Sequence, residues 1–212
     1  MSADVYLSRI LDILNQIRAT QMDGICQAGA RMAECIAREG RVYAYGSGHS
    51  VIPVLDIFPR YGSFVGFFPL YDPRLMWTNV IGPGGARELL WLERREGYVG
   101  VFLQSYPLEE RDCMLIFSHG GVNAAAIEAA LLARDKGLTV ISVSSHQNAR
   151  VAKATHSSGK KLSDIAHIAI DNCVPPEDAL VDLGRLERVA AGSTVAAVSI
   201  ARRWLVAASS RS

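Results

Sequence analysis

The chain has 212 residues, half of them hydrophobic, with 22 basic against 21 acidic side chains and a formal charge of +1. That length suits one well-buried domain and is short for two, and neither Lys nor Arg gathers into the run that gripping nucleic acid or anionic lipid requires. Nucleic acid and membrane are therefore not expected as partners, and charge or glycine interrupts every apolar stretch well short of the roughly 18 residues of a spanning helix.

In chain order, apolar residues recur at helical spacing from Val5 to Arg38 (Leu7, Ile10, Leu11, Leu14, Ile17), which predicts one or two helices with Gly40 as the closing cap. Arg41 to Tyr45 is a β-branched and aromatic run that stops at Gly46-Ser47-Gly48-His49-Ser50, a strand followed by a tight turn. The helix after it accepts Pro53 in its first turn. Phe64 to Tyr71 reads as a second strand, and a long loop holds Pro73, Gly82, Pro83, Gly84 and Gly85. Helical periodicity returns from Ala86 to Ser105. Cys113 to Phe117 is a third strand, ending at Ser118-His119-Gly120-Gly121, and Asn123 to Lys136 is an Ala-rich helix capped by Gly137. Leu138 to Val143 and Ile165 to Ile170 are the fourth and fifth strands, ending in Ser144-Ser145 and Asp171-Asn172. A C-terminal segment over 188–208 carries the last helix, from about Gly192 to Ala208.

This alternation predicts an α/β fold: a three-layer α/β/α sandwich on a five-stranded parallel sheet, with N- and C-terminal helices added. One domain is expected, with a helical segment over 1–38 and the sheet core over 41–172. The four cysteines, Cys26, Cys35, Cys113 and Cys173, form no C-x-x-C pair, as expected of reduced thiols. The N-terminus lacks the layout of a signal peptide, so a cytoplasmic location is expected.

In open parallel sheets ligands bind beyond the carboxyl ends of the strands, and the Ser- and Gly-rich turns fall there. Such turns present backbone N–H groups and hydroxyls that suit a phosphate. A dinucleotide motif is broken, because Val51 stands where the third glycine belongs, although Asp72 lies near the place of a ribose-binding acid. A P-loop is excluded, since Gly159-Lys160 is followed by Lys161. A sugar-phosphate site remains.

Gly46-Ser47-Gly48-His49-Ser50, then Ser118-His119-Gly120-Gly121-Val122-Asn123, then Val143-Ser144-Ser145 resemble, in order and placement, the three turn segments of sugar isomerase (SIS) domain proteins. Gly120 and Asn123 depart from that pattern, replacing a usual Ser and a usual Thr. The stretches 155–162 and 171–176 resemble one subgroup of the family. The resemblance implies a flavodoxin-like sheet and a phosphorylated sugar held by Gly46, Ser47, Gly48, Ser50, Ser118, Gly120, Gly121, Asn123, Ser144 and Ser145. It implies sites shared between subunits of a homodimer or homotetramer, where His156 and Lys160 reach toward a neighbour's phosphate. It implies an aldose–ketose phosphosugar isomerase working through an enediol, with a lyase or etherase on a phosphorylated amino sugar, or a non-catalytic sensor, as alternatives.

Moving a carbonyl along a sugar needs a carboxylate to carry a proton between adjacent carbons and an acid to open the ring. The Gly84-Gly85 loop with Glu88, Glu93 and Glu96 resembles the loop and glutamate-bearing helix of N-acetylmuramate-6-phosphate lyases, and Glu93 is the nearest equivalent of their acidic residue. Glu93 and Glu88 are accordingly the candidate bases. His49 and His119, both in strand-end turns, are the candidates for ring opening, whereas His167 reads as structural. No cofactor is implied, and no grouping has metal-ligand spacing.

Overall fold

The strand-like runs fold, in a computed structural model, into one parallel sheet with helices on both faces. Residues 2–58, 61, 65–76 and 85–209 are described. The N-terminal helical stretch divides at Gln21 into α1 (Ser2–Thr20) and α2 (Met22–Ala37). There follow β1 (Val42–Gly46), α3 (Val51–Ile57), β2 (Phe67–Pro69), a 3-10 turn at Pro73–Leu75, α4 (Gly85–Leu92), α5 (Tyr98–Leu103) and β3 (Cys113–Phe117). After them come α6 (Ala124–Asp135), β4 (Thr139–Ser144), α7 (His146–Val151), α8 (Leu162–Ile165), β5 (Ile168–Asp171) and α9 (Ser193–Ser209). No helix among the described residues is long and apolar enough to cross a membrane.

The strands lie in the order β2-β1-β3-β4-β5, every neighbouring pair parallel. The chain therefore leaves β1 toward one edge and returns to its other side, and such a reversal opens a crevice beyond the strand ends. Gly46 pairs with Phe117 across β1 and β3. The turns that follow these two strands consequently emerge side by side.

Alternation along each strand supplies two cores. Val42, Ala44, Leu115 and Phe117 face α1, α2 and α9, while Tyr43, Tyr45, Met114 and Ile116 face α4, α5 and α6. Trp204 of α9 lies against Phe117, with ring centroids 6.1 Å apart, and Arg202 pairs with Asp56 of α3 at 2.6 Å.

Several element boundaries differ from the sequence reading, each for a local reason. The expected helix over 86–105 is two, because the Glu93 carbonyl accepts from the Ala125 N–H of α6 at 2.9 Å and Gly97 turns left-handed at φ 85°. Glu128 then caps α5, its carboxylate accepting from the N–H groups of Gly97 at 2.8 Å and Val99 at 3.0 Å. The left-handed residue after α2 is Glu39, at φ 60°. Gly40 is needed for close approach instead, since a Cβ there would lie 2.5 Å from the Arg111 carbonyl oxygen. Ile165 closes α8 rather than opening β5, and His167 pairs with Val140 before the strand proper. Residues 188–192 are not helical: Val189 bridges Val181, and α9 begins where Asp178 accepts from the Ser193 N–H at 2.8 Å. The second strand is shorter than expected, at Phe67–Pro69. The glycine loop at 82–84 lies outside the described residues.

Candidate functional site

The turn after β1 is tight because two glycines allow it. Gly46 has Ser50 folded over it so closely that a Cβ would lie 2.2 Å from the Ser50 carbonyl oxygen, and Gly48 adopts φ 58°. The Gly48 N–H donates to the Leu75 carbonyl at 2.7 Å, which hangs the turn on the segment 72–76. That segment is itself pinned. Asp72, only 5% exposed, accepts from the Arg74 backbone N–H at 3.0 Å and from its Nε at 3.2 Å. The Tyr98 hydroxyl donates to the same carboxylate, and the Arg74 guanidinium lies 5.1 Å over the Tyr98 ring. Burial and Asp72 both push the Tyr98 phenol up. Asp72 is thus engaged in supporting the turn. Tyr98→Phe leaves this buried carboxylate one donor short and is expected to cost about 1–3 kcal/mol in urea unfolding. An unchanged midpoint would mean that the tyrosine does not support the segment.

The second turn, after β3, carries Ser118 to Asn123. The Gly121 N–H donates to Ser118 Oγ at 3.2 Å, and Gly121 takes φ 64° with Ser144 directly beneath it. The Gly120 carbonyl accepts from Asn148 Nδ2 at 2.7 Å. His119 has both ring nitrogens engaged. Asn172 Oδ1 accepts from the Val174 N–H at 3.0 Å, so its Nδ2 faces His119 Nδ1 at 3.2 Å as a donor. This assigns the ring proton to Nε2, which lies 3.3 Å from the Pro176 carbonyl.

Between the two turns lies a cleft of about 400 Å³ whose third side is α4, presenting Ala86, Leu89 and Leu90. Glu93 enters it from the end of α4 and is 8% exposed. Ser47 Oγ donates to its Oε2 at 3.0 Å. Burial pushes the Glu93 carboxyl above the ordinary carboxylate range, while the Ser47 hydroxyl, the Arg94 charge and the Asn123 amide each pull it back. The arrangement is a carboxyl group poised to take up and return a proton beside hydroxyl-bearing turns.

Of the residues singled out from the sequence, Ser47, Gly48, His49, Ser50, Glu93, Ser118, His119, Gly120 and Asn123 all line this cleft. Gly46 and Gly121 are buried pivots of its turns. Four others lie outside the lining. Glu88 is exposed on α4. Ser144 is fully buried, and its hydroxyl has no partner among the described residues. Ser145 donates to the Val174 carbonyl at 2.6 Å and caps α7 by accepting from the Asn148 N–H at 3.1 Å. Lys160 is exposed in a loop where His156 instead meets Glu96, at 3.6 Å. Sequence reasoning missed Asn172, Thr155 and the α4 leucines. Only Asn172, at the end of a strand whose neighbours carry the turns, gave a usable signal.

A family model described as SIS domain matches residues 5–145. A UPF0309 protein of Oceanobacillus iheyensis is 34% identical over 191 residues, which are 90% of this chain and 76% of that protein. A phosphoheptose isomerase from Francisella tularensis superposes with a TM-score of 0.66 at 14% identity, over 99% of this chain and 97% of that one. One from Neisseria gonorrhoeae does so at 0.63 and 13% identity, over 98% and 97%. These two structures share the fold.

Proposed function

The chain belongs to the SIS domain family, and from that premise we propose that it is a phosphosugar isomerase interconverting an aldose and a ketose phosphate through an enediol. The observation that carries this reading is Glu93: a buried carboxyl group, raised above its ordinary range, hydrogen-bonded to Ser47 in a cleft between two hydroxyl-bearing turns.

In this reading the phosphate sits between the 46–50 and 118–121 turns, with Ser50 and Ser118 donating and the N-terminal end of α6 favouring the negative charge. Ser144 and Ser145 support those turns from below rather than touching the phosphate. His49, exposed in the cleft, is the acid–base group for ring opening. Glu93 then removes the C2 proton of the open-chain aldose. The electron pair forms the C1–C2 double bond while the carbonyl oxygen takes up a proton, giving the enediol. Protonated Glu93 delivers its proton to C1 as the C2 hydroxyl proton departs, and C2 becomes the carbonyl.

The test is incubation with hexose, pentose and heptose phosphates in deuterated water, followed by NMR. At least one compound that raises the melting temperature is expected to exchange a carbon-bound proton at C1 or C2. Ser50→Ala is expected to weaken binding of that compound by about 1–3 kcal/mol, the value of a hydrogen bond to a charged group. If no sugar phosphate that binds ever exchanges a carbon-bound proton, isomerisation is excluded and a sensor becomes the better account.

A further inference from the structure

Four hydrogen bonds close a ring that ties the 118–121 turn to the segment after β5, and the chemistry of each pair allows only one direction. The Ser145 N–H donates to the His119 carbonyl at 2.8 Å, and the Ser145 hydroxyl donates to the Val174 carbonyl at 2.6 Å. The Val174 N–H donates to Asn172 Oδ1 at 3.0 Å, and Asn172 Nδ2 faces His119 Nδ1 at 3.2 Å. An amide nitrogen can only donate, so Nδ1 carries no proton. The neutral imidazole then keeps its proton on Nε2, which faces the Pro176 carbonyl at 3.3 Å.

The sheet itself sets Asn172 in place. Its N–H donates to the Ser144 carbonyl at 2.9 Å, next to the last register pair of β4 and β5, Ser144 with Asp171. Asn172 is 1% exposed and Ser145 and Val174 are fully buried, so water does not compete for these groups. His119 is the member of the ring that lines the cleft.

We propose that Asn172 is a positioning residue of the cleft, which holds His119 as a neutral Nε2–H strut between the 118–121 turn and the 172–176 segment, so that His119 transfers no proton in the reaction. A proton added at Nδ1 would set two N–H donors against each other. A proton removed from Nε2 would leave a lone pair facing the Pro176 carbonyl. Either change breaks a tether of the turn that carries Ser118, so acid–base work falls to His49 and Glu93. The inference rests on the isomerase reading in its kinetic arm alone.

Imidazole-nitrogen NMR of the histidine-labelled protein, assigned by through-bond correlation to the His119 backbone, reads the tautomer directly. At neutral pH a bare Nδ1 and a protonated Nε2 are expected. Asn172→Asp keeps the size of the side chain and an acceptor for the Val174 N–H, but its second oxygen accepts where the amide donated. The fourth bond therefore reverses, and both nitrogens of His119 are expected to carry protons at the same pH, because each then faces an acceptor. A proton on Nδ1 of the unmodified protein, or an unchanged ring in Asn172→Asp, would show that Asn172 does not set the state of His119.

Kinetics with a turned-over sugar phosphate separates a strut from an acid. His119→Gln is expected to raise KM about tenfold, the loss of about one hydrogen bond to a charged ligand as the Ser118 turn loosens, and to lower kcat by much less. Loss of a proton-transferring group instead lowers kcat about 100-fold or more. A fall of that size in His119→Gln with KM little changed would make His119 the acid and overturn the proposal. If the NMR results hold while no sugar phosphate exchanges a carbon-bound proton, the isomerase reading fails and the hold of Asn172 on His119 stands.

Discussion

Glu93→Gln should lower turnover of the cognate sugar phosphate about 100-fold or more while leaving its affinity within a few-fold, the signature of a removed general base. Glutamine keeps the size of the side chain and its contact with Ser47 but has no lone pair basic enough to accept a carbon-bound proton. The pH dependence carries the same argument with a definite sign. A base acts only when deprotonated, and burial has raised the Glu93 carboxyl, so activity is lost as pH falls through a midpoint above the ordinary carboxylate range. Ser47→Ala removes a hydrogen bond that favours the charged form and should move that limb to still higher pH. Steady-state kinetics from about pH 4 to 9 would check both, a range that brackets the ordinary carboxylate value. Normal turnover by Glu93→Gln with loss in Glu88→Gln would transfer the role to the exposed carboxylate one turn earlier, and would leave the burial of Glu93 without a catalytic meaning.

What could be read from the sequence divides along a physical line. The β3 boundaries, Cys113 to Phe117, and the α6 limits were legible because apolar period, alanine content and a following glycine all agree there. The two turns of the cleft were legible because β1 stops at Gly46-Ser47-Gly48 and β3 at Ser118-His119-Gly120-Gly121, and a buried strand run that ends in glycine and serine marks a tight turn. The break in the 86–105 stretch was not. It depends on the Glu93 carbonyl meeting α6, which lies beyond a whole strand in sequence. The same holds for Ser144 and Ser145, whose hydroxyls look like ligand donors in a list of turn residues. Ser145 is committed to Val174 and Asn148, and Ser144 is covered by Gly121. Asn123 shows the limit most clearly. Its residue type suits both a cap and a ligand, yet at the N-cap of α6 its side chain makes no capping bond, and the Ala124 N–H donates instead to Thr155 from the loop after α7. Local pattern fixes elements, whereas the assignment of a polar side chain depends on partners brought in by topology.

Gly46→Ala is expected to be the most damaging single substitution in the turn, although it adds only one methyl group. The added Cβ would lie 2.2 Å from the Ser50 carbonyl oxygen and 2.6 Å from its carbonyl carbon. Both are backbone atoms, so no side chain can rotate away. The Gly46 side of the contact is equally fixed, because β1 is paired there with Phe117 of β3. Relief therefore requires the 46–50 turn to open, which carries Ser47 away from Glu93 and Ser50 away from the cleft. The expected result is a stability loss of at least about 1–3 kcal/mol, as for overpacking in a rigid site, together with sugar-phosphate affinity reduced about tenfold or more from the loss of one hydrogen bond to a charged ligand. Gly120→Ala is the matched control. Its Cβ would meet Asn148 Nδ2 at 3.5 Å and Val122 Cγ2 at 3.6 Å, which is ordinary contact. It should unfold at nearly the same denaturant concentration as the unmodified protein. Denaturant unfolding of both variants, with calorimetric titration of the bound sugar phosphate, separates the cases. If Gly46→Ala unfolds and binds like the unmodified protein, the turn has room that this geometry denies, and the anion must be held elsewhere.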